Sequence, residues 1–490
     1  MMEDGRRKSS KKKDITVRNK FNAFLREHTT GTIKAGLQFD SLADADITEA
    51  LIGSFATFLM RDVKHNTAKS VLSNLKRQLR SRGRIFEGNQ GWYKNLRSTL
   101  RKTYSSAAQS TGSKLVESAP LMAVDDLSSI ATALFERSTP TALRDRTLLL
   151  WQWAVMGRSS DVTRIRFSDL HWLPSGLLVD ITRVKTSSEQ SLALVGAPLR
   201  WQIDALRALA CQLAADPFTA KQEIFPQLGD IGAYDNSSSH INAVLNDVTD
   251  GLGLGAVTAA LSSHSSRRGA ATEAASNVVV NFKDIAARGK WSTEAWPTHT
   301  VYNYIAATDA SALKTARVLA GWESANAAKA VHHPHLARLD DGVSAFDAEA
   351  QRSFGKEVFK MFLSRLGTDN LMEALTSSLL LYYQDIYAHQ KDHIVNKAME
   401  NALVRAIPTM DLNRAPGVLE KWGAPIRKAF TLENIASLPT SVLHETLTEE
   451  QRAARFVSVN TFEDGISRVL AIAQMLVGET QDLKAQLLDV

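Results

Sequence analysis

Three short fragments of the 490-residue chain bear the residue types needed to attack a phosphodiester without a metal: Gly157-Arg158, His264-Ser-Ser-Arg267 and Tyr302-Asn303-Tyr304. Two arginines hold non-bridging phosphate oxygens, because fixed guanidiniums match the charge that builds up in a pentavalent transition state. A tyrosine supplies the covalent nucleophile once cations surround it and its proton, of pKa about 10, is removed. A lysine or histidine protonates the departing oxygen, and Lys185 lies in a polar stretch between two strand-like runs, where a mobile ammonium suits that task.

Each fragment sits where local sequence positions it. Thr141–Met156 reads as a strongly apolar helix; Gly157 stops it, Arg158 sits in the break and Ser159/Ser160 start a short helix. Residues 176–184 and 191–195 read as two strands flanking the polar hairpin Lys185-Thr-Ser-Ser-Glu-Gln190. In a helix from about Ser265, His264 and Arg267 stand three apart and face one ligand, and the small residues from Gly269 onward allow close packing beneath them. Further helices are expected near 125–137, 199–214 and 238–251. The fold class that follows is mainly α, with a small antiparallel sheet.

Charge is unevenly spread. Residues 1–115 hold 23 Lys/Arg against 10 Asp/Glu, whereas the rest of the chain holds 35 against 42. This asymmetry points the N-terminal quarter at a polyanion. Helical patterns near 15–28, 46–62, 66–81 and 91–104 suggest a small bundle. Lys69, Lys76 and Arg80 recur along the third helix beside Arg77, and Lys94, Arg97 and Arg101 share a face of the fourth. Such a face contacts phosphates and gives salt-dependent affinity with little sequence choice.

The expected organisation is a flexible basic tail at 1–14, a helical DNA-binding domain at 15–112 and a Ser/Ala/Gly/Thr-rich linker over Ser105–Ser118. A second domain follows at 118–335, then a helical C-terminal domain at 346–490. The tail carries Arg6-Arg7-Lys8 and Lys11-Lys12-Lys13, read equally as a nuclear import signal or a DNA-binding arm. Ile466, Val469, Ala473, Leu476, Leu483 and Leu487 suit a short coiled coil or a helix packed on its own domain. The lone Cys211 excludes a disulfide framework and a Cys-based zinc finger. No apolar run of about 18 residues is present to span a bilayer, and the first twenty residues lack a secretory apolar stretch.

The ordered set resembles the tyrosine recombinase (phage integrase-like) family. Gly157-Arg158-Ser-Ser-Asp161 looks like its first-arginine box, with Asp161 where glutamate is usual. Thr182-Arg-Val-Lys185 looks like its hairpin lysine, and His264-Ser-Ser-Arg267 like its second box. Arg288-Gly-Lys-Trp291 resembles the segment with the His/Trp position, and Tyr302-Asn-Tyr304-Ile the nucleophile helix. The resemblance covers about 120–310 and implies the catalytic set Arg158, Lys185, His264, Arg267, Trp291 and Tyr304, with Asp161 in support. Tyr302 competes with Tyr304 for the nucleophile's role.

It further implies cleavage and rejoining of double-stranded DNA through a 3′-phosphotyrosyl bond, with no cofactor and no metal. The two domains would clamp the duplex, and the protein would act as a homo-tetramer that exchanges a helix; residues 311–321 could supply it. Within the family the nuclear-type tail looks most like Crypton-type transposon recombinases, implying a nuclear protein in a eukaryote, or a cytoplasmic, nucleoid one otherwise. The alternatives are a domesticated, non-catalytic nuclear DNA-binding protein and a type IB topoisomerase. The Ser-Lys-x-x-Tyr context characteristic of the latter is absent.

Overall fold

The computed structural model describes residues 8–27, 37–82, 84–87, 90–113, 118–183, 188–215, 222–226, 237–253, 255–291, 309–322, 331–336, 344–435, 437–439 and 442. The chain divides after Ser118 into two compact units.

The first unit is a bundle of α1 (Lys8–Glu27), α2 (Glu49–Asp62), α3 (His65–Leu79) and α4 (Gly91–Ser110). Each buries one apolar stripe: Phe21 and Phe24 from α1, Ile52 and Phe55 from α2, and Leu72, Leu75 and Leu79 from α3 form one core. Phe21 and Phe55 meet edge to face with centroids 4.9 Å apart. Two sequence expectations need correction here. Residues 8–14 are not a free tail but the first turns of α1, tied down where Asp14 pairs with Arg77 and accepts from Asn74 at 2.9 Å. Ser105–Ser110 is not linker but the end of α4.

The second unit is mainly helical and carries one sheet. Its elements begin with α5 (Val124–Glu136), α6 (Pro140–Ala154) and the single turn α7 (Ser159–Val162). Strands β1 (Leu170–Leu173), β2 (Gly176–Arg183) and β3 (Ser188–Leu194) follow. Next come α8 (Ala205–Ala215), α9 (Ser237–Leu252), α10 (Ser265–Ser276), α11 (Phe282–Gly289) and α12 (Asp309–Leu319). The sheet is antiparallel in the order β1-β2-β3, with Leu170 opposite Val179 and Arg183 opposite Ser188. The sequence reading missed β1, whose only fully buried residue is Leu170.

Helix α6 begins with Thr139 as its cap, accepting from Ala142 N at 3.3 Å, and with Pro140 in the first turn. It ends in a Schellman motif: Met156 N donates to Trp153 O at 3.0 Å, and Gly157 N to Gln152 O at 3.0 Å. The left-handed residue is Met156, at φ 46°, not Gly157 as the sequence suggests. Gly157 is demanded by space instead: a Cβ there would lie 2.5 Å from Val162 Cγ2 and 3.0 Å from Val155 Cγ2.

After α12 the chain forms α13 (Ala345–Val358), α14 (Asp369–Leu381), α15 (Tyr383–His389), α16 (Ile394–Ala406) and α17 (Ala415–Asn434). These helices were expected to stand apart as a C-terminal domain. In the structure one apolar core runs from Met122 to Val442. Polar bonds sew the join. Tyr382 Oη donates to Ala197 O at 3.1 Å, Arg207 Nη1 to Ser378 O at 3.3 Å, and His393 Nε2 to Phe135 O at 2.8 Å, with its ring stacked on Phe135. The heptad-like residues 466–487 lie outside the described residues. The segment proposed for exchange, 311–321, packs on its own unit. Trp153 Nε1 donates to Leu319 O at 3.0 Å and Trp322 Nε1 to Gly196 O at 2.7 Å. Among the described residues no helix is long and apolar enough to cross a membrane.

Candidate phosphate-binding site

The C-terminal end of α6 leaves carbonyls without helical partners. Three successive ones are taken up by three different arginines. Arg288, from the last turn of α11, donates to Ala154 O through Nε at 2.8 Å and Nη2 at 2.6 Å. Arg183, at the end of β2, donates to Val155 O at 3.1 Å. Arg267, in the first turn of α10, donates to Met156 O. The same groups reach across to α11: Arg183 Nη2 donates to Arg288 O at 2.6 Å, and Arg267 Nη2 to Gly289 O. Side-by-side guanidiniums thus bridge the same two chain segments.

Arg158 follows this junction directly. It caps α7 from extended backbone, and its N–H donates to Asp161 Oδ2 at 3.2 Å. The same oxygen stands 3.3 Å from Arg183 Nη1 and 3.8 Å from Arg158 Nη1. Asp161 and Arg183 are wholly buried, whereas the Arg158 side chain keeps 22% of its exposure. Its Nη1 is buried and has no hydrogen-bond partner among the described residues.

Burial and mutual repulsion shape the acidities of these arginines. Burial, reinforced by the charges of Arg158 and Arg183, pulls Arg267 down to about 10. Burial and Arg183 pull Arg288 down to about 9. Burial also lowers Arg183, against the opposing pull of Asp161. Among the described residues the cluster gathers several guanidiniums near the carboxylate of Asp161, and such a cation-rich turn can accept an anion at Arg158.

Trp291 lies beneath Arg267, whose guanidinium carbon sits 4.6 Å from a Trp291 ring centroid, a cation–π contact that fixes the arginine's plane. A Cβ on Gly289 would fall 2.5 Å from that indole, so the glycine makes room for it. His264 is exposed at the N-cap of α10, three residues before Arg267. Lys185, Tyr302 and Tyr304 lie outside the described residues. The structure therefore brings Arg158, Asp161, Arg267 and Trp291 together and sets His264 at the start of the same helix as Arg267.

Sequence reasoning passed over Arg183 and Arg288 as site residues. A signal for the first was present: Leu177, Val179, Ile181 and Arg183 alternate on the buried face of β2, placing a charge where only apolar residues are expected. Gln190 was missed as well; it accepts from Arg183 Nε at 3.0 Å and donates to Ala287 O at 2.8 Å.

In the N-terminal unit, α3 and α4 flank a cleft of about 600 Å³ lined by Lys69, Lys76, Lys94, Arg97 and Arg101, with no acidic residue among its described lining. Lys76 lies over the Tyr93 ring, 4.4 Å from its centroid, and bonds Gln90. Two residues expected on this face are not in the cleft. Arg77 turns to α1 and pairs with Asp14, and Arg80 is exposed at the C-cap of α3. Among the described residues no group of three or more potential ligand side chains could hold a metal ion.

No protein-family model and no curated protein matches the chain. Among solved structures, it is similar to a lambda integrase tetramer bound to a Holliday junction, at 14% identity and a TM-score of 0.39, covering 60% of this chain and 75% of that one. A lambda integrase dimer bound to a COC′ core site gives 14% identity and a TM-score of 0.38, covering 61% and 72%. A Flpe–Holliday junction complex gives 11% and 0.35, covering 74% of this chain and 96% of that one. Likenesses this distant assign no role to any residue of this chain.

Proposed function

We propose that the chain is a site-specific DNA recombinase of the tyrosine type, which breaks and rejoins strands through a covalent 3′-phosphotyrosyl intermediate. The observation that carries this reading is the cation-rich turn in which partly exposed Arg158, whose buried Nη1 stands 3.8 Å from Asp161 without a hydrogen bond among the described residues, lies beside buried Arg267. Such a turn suits a phosphate whose charge rises during substitution.

In this reading Arg158 and Arg267 hold the non-bridging oxygens, and His264 hydrogen-bonds the same phosphate. Tyr304 releases its phenolic proton to solvent and its oxygen attacks phosphorus as the phosphorus–O5′ bond breaks, while Lys185 transfers a proton to the departing 5′ oxygen and is reprotonated from solvent. The reverse step rejoins the strand, because the phosphotyrosyl bond conserves the energy of the original linkage. Trp291 keeps Arg267 in plane, and Asp161 orients Arg158. The basic cleft of the N-terminal bundle takes duplex phosphates. Assembly as a tetramer on DNA, a role in integrating or excising a Crypton-like transposon, and nuclear residence guided by the basic N-terminus complete the proposal.

A duplex nicked beside the cleavage site, which releases a short fragment and blocks religation, tests it. Wild type is expected to form a covalent protein–DNA adduct. Tyr304→Phe abolishes the adduct, and Tyr302→Phe spares it; the opposite pattern moves the nucleophile to Tyr302. Tight DNA binding by wild type without any adduct overturns the catalytic reading in favour of a non-catalytic DNA-binding protein.

A further inference from the structure

Arg183 cannot touch DNA, since its side chain is wholly buried at the inner end of β2. Yet its guanidinium ends on the carboxylate that governs Arg158. Its other nitrogens are fixed to main-chain oxygens of Val155 and Arg288 and to Gln190, whose amide is itself held by Ala287. We propose that Arg183 is a positioning residue which keeps the Asp161 carboxylate, itself bonded to the Arg158 backbone N–H, short of a hydrogen bond to the Arg158 guanidinium, so that the exposed part of that guanidinium keeps its charge for a phosphate.

The distances carry the argument. Asp161 Oδ2 lies 3.3 Å from Arg183 Nη1 but 3.8 Å from Arg158 Nη1, beyond hydrogen-bond range, and that buried Arg158 nitrogen has no hydrogen-bond partner among the described residues, while the Arg158 side chain as a whole keeps 22% of its exposure. One carboxylate thus serves two guanidiniums and favours the one that solvent never reaches. With Arg183 removed, the carboxylate would lose the nearer of these two guanidiniums. It would then close on Arg158 as a tight charge-assisted pair, the arrangement that competes with an incoming anion. The inference rests on the reading of Arg158 as a phosphate holder, and the experiment separates the two.

The full-length protein is melted in increasing inorganic phosphate, with ionic strength held constant by chloride, and the phosphate-dependent rise in Tm gives the affinity. Wild type is expected to gain stability and Arg158→Ala to lose that gain. Arg183→Met binds phosphate about tenfold more weakly, the scale of one hydrogen bond to a charged group. The double variant Arg183→Met/Asp161→Asn recovers most of the affinity, because the competing carboxylate charge is gone. Where Arg183→Met fails to fold, Arg183→Lys and Arg183→Lys/Asp161→Asn make the same comparison.

Equal gains in wild type and Arg158→Ala overturn the phosphate site and this inference with it. A gain that depends on Arg158 but is untouched in the Arg183 variant overturns this inference alone. So does a loss that Asp161→Asn does not reverse, since Arg183 would then serve only as a structural brace.

Discussion

Gly269, two residues beyond Arg267 on α10, offers a test of how tightly the site is packed from below. An added Cβ would lie 1.9 Å from Met122 O and 2.9 Å from both Met122 C and Trp153 Cζ3. Ordinary contact begins near 3.4 Å, so α10 and the chain segment at Met122 must separate by about 1.5 Å. The obstacle is a backbone carbonyl, which cannot swing aside like a side chain. Overpacking costs about 1–3 kcal/mol, and separation also strains the bond from Met122 N to Ser265 O, at 3.3 Å, which contributes about 1 kcal/mol. The higher helix propensity of alanine returns about 1 kcal/mol. Gly269→Ala is therefore expected to destabilise by about 2 kcal/mol, read as a lower urea midpoint with an unchanged m value. Gly251, near the end of α9, is the control: among the described residues nothing lies within 4 Å of its Cβ position, and Gly251→Ala is expected to be neutral or to stabilise by about 0.5–1 kcal/mol. A Gly269→Ala protein as stable as wild type would refute the packing argument. Should phosphate affinity persist despite the lost stability, it is the Met122 segment that gives way and α10 that keeps Arg267 in place.

In the N-terminal unit, Arg97→Ala is expected to lower the slope of log K against log salt for duplex binding by about 0.9, one phosphate contact. Arg77→Ala should leave that slope unchanged, because Arg77 is already paired with Asp14; equal slopes for the two variants would remove the cleft from the binding face. His393 accepts from Val395 N through Nδ1 at 3.1 Å and donates to Phe135 O through Nε2, so a proton added at Nδ1 faces an N–H. Burial pulls its pKa down to about 4, below the ordinary 6.5, so the native state resists protonation and stability falls as pH drops from about 6.5 towards 4. His393→Asn keeps an acceptor for the cap and should flatten that pH dependence in urea midpoints; an unaltered slope would assign it to other groups, such as His333. Ending the chain at residue 343 strips the helices that cover Asp204 and Arg207 and is expected to give aggregated protein; a soluble fragment with a cooperative melt would show that 344–490 is dispensable for folding.

How much of this was legible in the sequence follows from range. The helix break at Gly157-Arg158 and the His264–Arg267 spacing are local patterns, and both appear where expected. The small residue at 269 was rightly read as a sign of close packing, because a glycine in mid-helix has few other uses. Arg183 and Arg288 escaped because their meaning lies in carbonyls 28 and 134 residues away, which no periodicity encodes. Arg77 was misplaced for the same reason: its partner Asp14 is 63 residues earlier. The helices after Ala345 share the apolar spacing of any amphipathic helix, so pattern alone could not show that they complete the core begun at Met122.

The arginines on the last carbonyls of α6 bear on any attempt to build such a site elsewhere. The C-terminus of a helix behaves as roughly half a negative charge and ordinarily repels anions. Here the turn that would receive an anion grows from that pole. Buried cations from β2, α10 and α11 cover the pole and reverse its sign. Grafting Gly157-Arg158 with the His264–Arg267 turn onto another helical scaffold would import the visible groups with an unneutralised pole behind them. The transferable unit is larger and less obvious, because it includes two arginines that no ligand ever meets.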